Sequence, residues 1–169
     1  MAKADRALRT FFAIMAAALI FIYHTSQSMP EMVASHFNSA GVPTGFLPRH
    51  LYFVGILVVI VVAPLLLVIL PRLAMRNPNV RINVPHRDYW LAPERRQHTI
   101  EILSQQSTTF ASLLMLFLCY SHWLVVHANA STPPELSSGW LLAGLVVFMG
   151  LTVRWAFGLI ARFRITEEE

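Results

Sequence analysis

The sequence is poor in charged residues, and it contains a single cysteine. Charged side chains make up 13% of the 169 residues, whereas soluble domains carry about 25%. Together with 56% hydrophobic residues and a mean hydropathy of +0.55, this deficit predicts a chain that lies in lipid. The lone Cys119 cannot form an intramolecular disulfide, so the cysteine content does not indicate a redox compartment.

The sequence also lacks the motifs of common enzyme classes. It has no His-Glu-x-x-His motif, no phosphate-binding loop and no paired carboxylates inside its apolar stretches. Five histidines fall at or near one predicted membrane face: His24, His36, His50, His122 and His127. Histidine is a common metal ligand, but the spacing of His122 and His127 makes them diverge on a helix. We expect no catalytic residues, no metal and no cofactor; a metal- or proton-linked transporter or enzyme is an alternative.

Four apolar blocks predict membrane-spanning helices, each of which needs about 17–25 mainly apolar residues. The first block follows a basic tail but lacks an Ala-x-Ala cleavage site, which favours a retained helix over a signal peptide. We predict an all-α, four-helix integral membrane protein with a single domain over residues 1–169. Its predicted elements are helices at about 5–24, 50–70, 93–127 and 139–163, an outer motif at 29–50 and an inner loop at 71–92.

The basic residues predict the orientation, because cytoplasmic loops are enriched in Lys and Arg. Of the 13 Lys and Arg residues, only Arg49 belongs to the opposite side. Both chain ends and the inner loop are therefore expected in the cytoplasm, and the outer motif outside. Arginines at the inner face are expected to contact anionic membrane lipids.

The outer motif is dense in turn-forming residues. Glu31–Phe37 has helical apolar spacing and predicts a short helix, which Gly41 ends. The following stretch Val42–Gly45 predicts a turn, because it contains proline and glycine. We expect this rigid segment to fold over the outer ends of the helices.

Within this motif, His36 and Asn38 are expected to face a shared outer pocket, with Phe37 and Phe46 turned to the bilayer or the bundle. The alternative is architectural: Asn38 bonds nearby backbone and His36 caps or packs the short helix. The predicted binding residues are His36, Phe37, Asn38, Gly41, Pro43, Gly45 and Phe46.

A second candidate surface precedes the third helix at the inner face. Tyr89 and Trp90 have rings that favour the headgroup region. Pro93 suits the first turn of a helix and Glu94 its positive end, so the helix is expected to begin there and to protrude into the cytoplasm. The predicted inner-face interface consists of Tyr89, Trp90, Pro93, Glu94, Arg95 and Arg96.

The stretch MPEMVASHFNSAGVPTGFLPRH resembles the signature that follows the first membrane helix in the SdpI-like family, a bacterial domain-of-unknown-function family. The matching positions are Pro30, Glu31, Val33, His36, Phe37, Asn38, Gly41, Pro43, Gly45 and Phe46. The best-understood relative is an immunity and signalling protein, which resists a secreted toxic peptide and captures a repressor at the membrane. The 169 residues have room for four helices, so we do not expect them to contain the longer C-terminal membrane module of that relative.

The resemblance implies a non-enzymatic, multi-pass protein of the bacterial inner membrane that acts in binding, signalling or immunity. Its expected partner is another membrane or extracytoplasmic protein or peptide, and not nucleic acid. An accessory subunit of a larger membrane complex is the alternative.

Overall fold

The computed structural model describes residues 2–77 and 80–164, without the side chains of residues 2–4. Its elements in chain order are α1 (Ala2–Gln27), β1 (Met32–Phe37), β2 (Pro43–Pro48), α2 (Arg49–Arg76), α3 (Arg87–Trp90), α4 (Pro93–Ala128) and α5 (Ser138–Arg162). Met1, residues 78–79 and residues 165–169 of the predicted domain lie outside the described residues.

Four helices are long and apolar enough to cross a membrane: Asp5–Gln27, Arg49–Arg76, Pro93–Ala128 and Ser138–Arg162. The predicted four-helix membrane fold is confirmed. A helix satisfies its own backbone hydrogen bonds, which lipid cannot do, and this favours long helices for such apolar blocks. α4 begins at Pro93, after an extended Ala92 at its N-cap.

α4 lies in the middle of the bundle and packs against α1, α2 and α5. The largest core cluster joins three of these helices and includes Phe11 and Met15 of α1, Ile60 of α2, and Ala111 and Met115 of α4. α5 packs mainly on α4. Two hydrogen bonds attach it to α4, from the Tyr120 hydroxyl to the Trp140 carbonyl (2.6 Å) and from Trp155 Nε1 to the Gln106 carbonyl (3.1 Å).

The short helix predicted for Glu31–Phe37 is wrong, because this segment contains β1, which pairs antiparallel with β2. The register is irregular between Ala34 and His36 and again between His36 and Phe37. Such bulges break the period-two alternation of a strand. Val33 and Phe37 both contact the bundle, and a spacing of four residues places two side chains on one face of a strand as well as on one face of a helix.

The predicted turn at Val42–Gly45 is also wrong. The chain reverses earlier, over residues 38–42. There the Gly41 amide donates to the Asn38 carbonyl (2.9 Å), and the Asn38 amide donates to the Val42 carbonyl (3.0 Å). Pro43 is the first residue of β2, a strand position that tolerates proline.

The second helix extends beyond its predicted end near residue 70 and includes Pro71. Two contacts hold its last turns against α4. The Arg72 guanidinium donates to the Thr108 hydroxyl (2.7 Å), and Met75 is buried in a cluster against which Ile100 and Leu103 of α4 pack. These interactions compensate for the helix hydrogen bond that a proline cannot donate.

Candidate functional site

The β-hairpin, residues 32–48, covers one end of the bundle, and Asn129 fixes its first strand. The Ala34 amide donates to Asn129 Oδ1 (2.8 Å), and Asn129 Nδ2 donates to the Ala34 carbonyl (3.0 Å). The side-chain amide thus pairs with the N–H and C=O of a single residue as a neighbouring strand would. Asn129 Nδ2 also donates to the Val125 carbonyl (2.8 Å), which ties the arrangement to the last turn of α4.

The turn of the hairpin contacts the connection between α4 and α5 at Gly41. The Leu136 amide donates to the Gly41 carbonyl (3.0 Å), and Gly41 has a φ of +80°. A Cβ at this position would collide with the Leu136 carbonyl oxygen. Nearby, the Ser138 hydroxyl donates to the Ser39 carbonyl (3.0 Å). The turn therefore requires glycine for both its conformation and its close approach.

Arg49 secures the other end of the hairpin, where β2 passes into α2. Its amide donates to the Glu31 carbonyl (2.8 Å). Its guanidinium donates to the Met29 carbonyl (3.0 Å) and the Gln27 carbonyl (3.3 Å), just after α1. Backbone and side-chain bonds thus fix the hairpin to the ends of α1, α2 and α4 and to the start of α5.

Asn38 and His36 make different contacts. Asn38 Oδ1 accepts hydrogen bonds from the amides of Ala40 and Val42, both 3.0 Å, so the side chain stabilises its own turn. His36 is exposed, and its Nδ1 lies 2.9 Å from the Ser35 hydroxyl. Within the described residues the two side chains make no hydrogen bond to each other, and Asn38 has the architectural role that the sequence offered as an alternative.

The two phenylalanines of the predicted site also lie in different surroundings. Phe37 packs against the bundle near Leu124 and Leu136. Phe46 is 51% exposed, and Met32 and Val42 are exposed to a similar degree. Gly45 lies beside the His36 ring. A Cβ added at Gly45 would lie 3.2 Å from His36 Nδ1, so β2 leaves little room next to the imidazole.

A buried polar network beneath the hairpin joins α1, α2 and α4 through His122, which is 1% exposed. His122 Nε2 lies 2.8 Å from the Thr25 hydroxyl oxygen and Nδ1 lies 2.9 Å from the Tyr52 hydroxyl oxygen. The Tyr52 and His122 rings stack with centroids 5.7 Å apart. From the sequence, His122 is one of five histidines near one predicted membrane face, and the network itself is not predicted; a histidine in an apolar block is the only signal of it.

The bonds of this network have a definite direction. Thr25 has one hydroxyl hydrogen, and the Phe21 carbonyl accepts it at 2.8 Å. The Thr25 oxygen must then accept from His122 Nε2–H, and Nδ1 of the neutral ring accepts from the Tyr52 hydroxyl. Because every polar hydrogen has an acceptor, the network serves the structure of the bundle.

The histidines do not form a metal site in the part of the chain that the structure describes. No group of three His, Cys, Asp or Glu side chains there could hold a metal ion. His122 is occupied on both ring nitrogens, and the His127 ring packs against Trp123 with centroids 4.2 Å apart.

The predicted inner-face residues lie at the opposite end of the bundle, and several of them contact neighbouring elements of the protein. Trp90 Nε1 donates to the Phe163 carbonyl (3.0 Å), and the Thr99 hydroxyl donates to the Trp90 carbonyl (2.7 Å). The Arg95 guanidinium lies 4.0 Å from the centroid of the Tyr89 ring. These bonds attach α3 to α4 and to the end of α5.

Three further residues of that interface belong to the start of α4. Pro93 is its first residue and Glu94 lies in its first turn. Arg96 donates to the Met75 carbonyl at 3.3 Å, which connects α4 with the last turn of α2.

Residues 11–68 match the model of a family described as Domain of unknown function (DUF1648). This stretch comprises most of α1, the whole hairpin and most of α2. No curated protein and no solved structure matches the chain. The match supports a domain-of-unknown-function family for this region, whereas the SdpI-like assignment remains a prediction.

Proposed function

We propose that the protein is a non-enzymatic binding protein of the bacterial inner membrane, of signalling or immunity type, whose hairpin receives an extracytoplasmic peptide or protein segment. The observation that carries this proposal is a rigidly tethered hairpin with exposed large apolar side chains. Met32 is 54% exposed, Val42 52% and Phe46 51%. The SdpI-like resemblance and the basic residues at the other end of the bundle support the outward orientation.

The tethers matter because binding is weakened by the entropy lost when a flexible surface becomes ordered. Asn129, Arg49 and the Leu136 amide already hold the hairpin backbone in one position. A partner that contacts this surface loses less free energy to loop ordering than one that must first arrange a mobile loop.

The surface is suited to an extended segment with apolar side chains. The sheet has two strands in the described residues, so β2 has an edge to which an extended peptide can add. Phe46 supplies an aromatic contact on that strand, and the exposed His36 offers a hydrogen-bonding group beside it. Aromatic side chains often dominate the free energy of binding at interfaces.

Co-purification from native membranes tests the proposal. We expect a defined polypeptide to copurify with the wild-type protein, and Phe46→Ser to reduce its recovery at least about tenfold, the effect of a lost contact of about 1.4 kcal/mol. Val54→Ser is the matched control, because Val54 is 55% exposed and belongs to α2, not to the hairpin. Equal recovery with the wild type and Phe46→Ser would contradict a role for the hairpin surface.

An accessory-subunit function is the second candidate, and α5 is the reason to consider it. None of its residues is buried, and Trp140 and Phe157 are 64% and 67% exposed. A Cβ at Gly150 or Gly158 would meet no atom within 4 Å, and small residues allow membrane helices to approach closely. A stoichiometric membrane subunit that is lost with Gly150→Leu but retained with Phe46→Ser would favour this function.

A further inference from the structure

A cavity of about 510 Å³ lies at the arginine-rich end of the bundle, between α1, α2 and α4. Its basic residues are Arg72 and Arg76 of α2 and Arg96 of α4, and its acidic residues are Asp5 and Glu101. Three positive and two negative side chains give the lining a net charge of +1. An anion carrying one negative charge therefore complements it.

Arg72 is held in place before any ligand binds. Its guanidinium donates to the Val68 carbonyl (2.6 Å), the Thr108 hydroxyl (2.7 Å) and the Ser104 carbonyl (3.3 Å). These acceptors are neutral oxygens, so the bonds fix the side chain without cancelling its charge. Arg72 lies one helical turn before Arg76, about 6 Å further into the span.

The rest of the lining combines apolar side chains with the polar residues Gln97 and Ser104. Leu8, Met75 and Ile100 line the same cavity as the arginines, so the site combines charge with hydrocarbon. A free inorganic ion makes no favourable contact with apolar side chains. A molecule with an anionic head and an apolar body can contact both parts, as phospholipids do when they occupy basic pockets between membrane helices.

We propose that this cavity binds the phosphate ester headgroup of an anionic phospholipid. Arg76 and Arg96 contact the phosphate from two helices, and Arg72 provides fixed positive charge deeper in the span. The lipid thereby links the last turns of α2 to the start of α4. This site is independent of the hairpin surface at the other end of the bundle.

The full-length protein in detergent micelles allows a direct test by titration with phosphatidylglycerol, read out by native mass spectrometry. Each arginine near a membrane surface strengthens binding by about fivefold. We therefore expect Arg76→Gln and Arg96→Gln each to weaken phosphatidylglycerol binding about fivefold. Asp5→Asn removes an opposing charge from the lining and should strengthen binding.

Arg162→Gln is the matched control, since Arg162 is exposed at the end of α5 and does not line the cavity. Its phosphatidylglycerol affinity should equal that of the wild type. An equal loss in Arg162→Gln would show a diffuse charge effect and overturn the proposed site. Arg96 also donates to the Met75 carbonyl, so Arg96→Gln could fail to fold. In that case Arg76→Gln decides the outcome, because Arg76 is exposed.

Three further titrations distinguish the source of the phosphate. Inorganic phosphate and glycerol phosphate share the headgroup chemistry but lack acyl chains, and phosphatidylcholine has the chains without net negative charge. The proposal predicts that phosphatidylglycerol binds more tightly than all three. Binding of inorganic phosphate as tight as that of phosphatidylglycerol, with the same loss in Arg76→Gln, would identify a site for free phosphate and overturn the lipid assignment.

Discussion

His122 lies between Tyr52 and Thr25, and each of its ring nitrogens bonds one of them, at 2.9 Å and 2.8 Å. Three helices thus meet at one buried imidazole, just beneath the hairpin. Loss of any member leaves a buried polar atom without a partner, which costs about 1–3 kcal/mol.

The first prediction concerns this network. We expect His122→Ala to lower the free energy of unfolding by about 2–5 kcal/mol, because it removes two hydrogen bonds and opens a cavity. Tyr52→Phe should cost about 1 kcal/mol. Thermal unfolding in detergent measures both, and a Tyr52→Phe/His122→Ala double mutant should be less destabilised than the sum of the single mutants. Strict additivity would show that the two side chains are not energetically coupled.

The second prediction concerns the attachment of the hairpin to α4. Asn129→Ala removes both bonds to the Ala34 peptide unit and should speed hydrogen exchange at the Ala34 amide by about tenfold, for a loss of about 1.4 kcal/mol. Asn129→Asp keeps an acceptor for the Ala34 amide but cannot donate to the Ala34 carbonyl, so exchange at this amide should speed up less than in Asn129→Ala. Thr44→Ala, on the exposed face of β2, is the control. Unchanged exchange in both Asn129 variants would exclude the proposed attachment.

The third prediction compares glycines. Gly41→Ala should destabilise the protein by about 1–3 kcal/mol, because φ is positive there and the Leu136 carbonyl blocks the Cβ. Gly55→Ala should be neutral or stabilising, since no atom lies within 4 Å of the added Cβ and alanine favours a helix. Circular dichroism melts of the two variants test this. A melting temperature for Gly41→Ala at or above that of the wild type would contradict the close approach of the turn to Leu136.

The fourth prediction concerns orientation. In a Cys119→Ala background, a cysteine at Thr44 should react with a membrane-impermeant maleimide in intact cells, and a cysteine at Arg87 should react only after lysis. The reason is the concentration of arginines at the end opposite the hairpin. The reverse pattern would place the hairpin in the cytoplasm and remove the basis for an extracytoplasmic partner.

The elements that the sequence predicts well are those specified by local signals. The length and hydropathy of each apolar block indicate a membrane helix, and Pro93 marks the start of α4 because proline favours the first turn. The segment of β1 was predicted as a helix because Val33 and Phe37, four residues apart, share one face in a strand just as they would in a helix. Local spacing alone does not distinguish these two structures.

The bonds that shape the candidate site were not predictable, because their partners are distant in sequence. Asn129 and Ala34 are separated by 95 positions, and His122 and Thr25 by 97. The periodicity of a short stretch of sequence cannot predict contacts between residues so far apart. Asn38 was easier to interpret, since asparagine commonly bonds the backbone two residues onward in a turn, as it does here with Ala40.

Site-specific photocrosslinking in native membranes tests the central claim most directly. A benzoylphenylalanine placed at Phe46 keeps an aromatic ring at the proposed contact, and the same residue at Val54 serves as a lipid-facing control. The account predicts a discrete polypeptide adduct at Phe46 that is absent at Val54 and weakened by Met32→Ser. Lipid adducts alone at both positions would contradict a peptide- or protein-binding role for the hairpin.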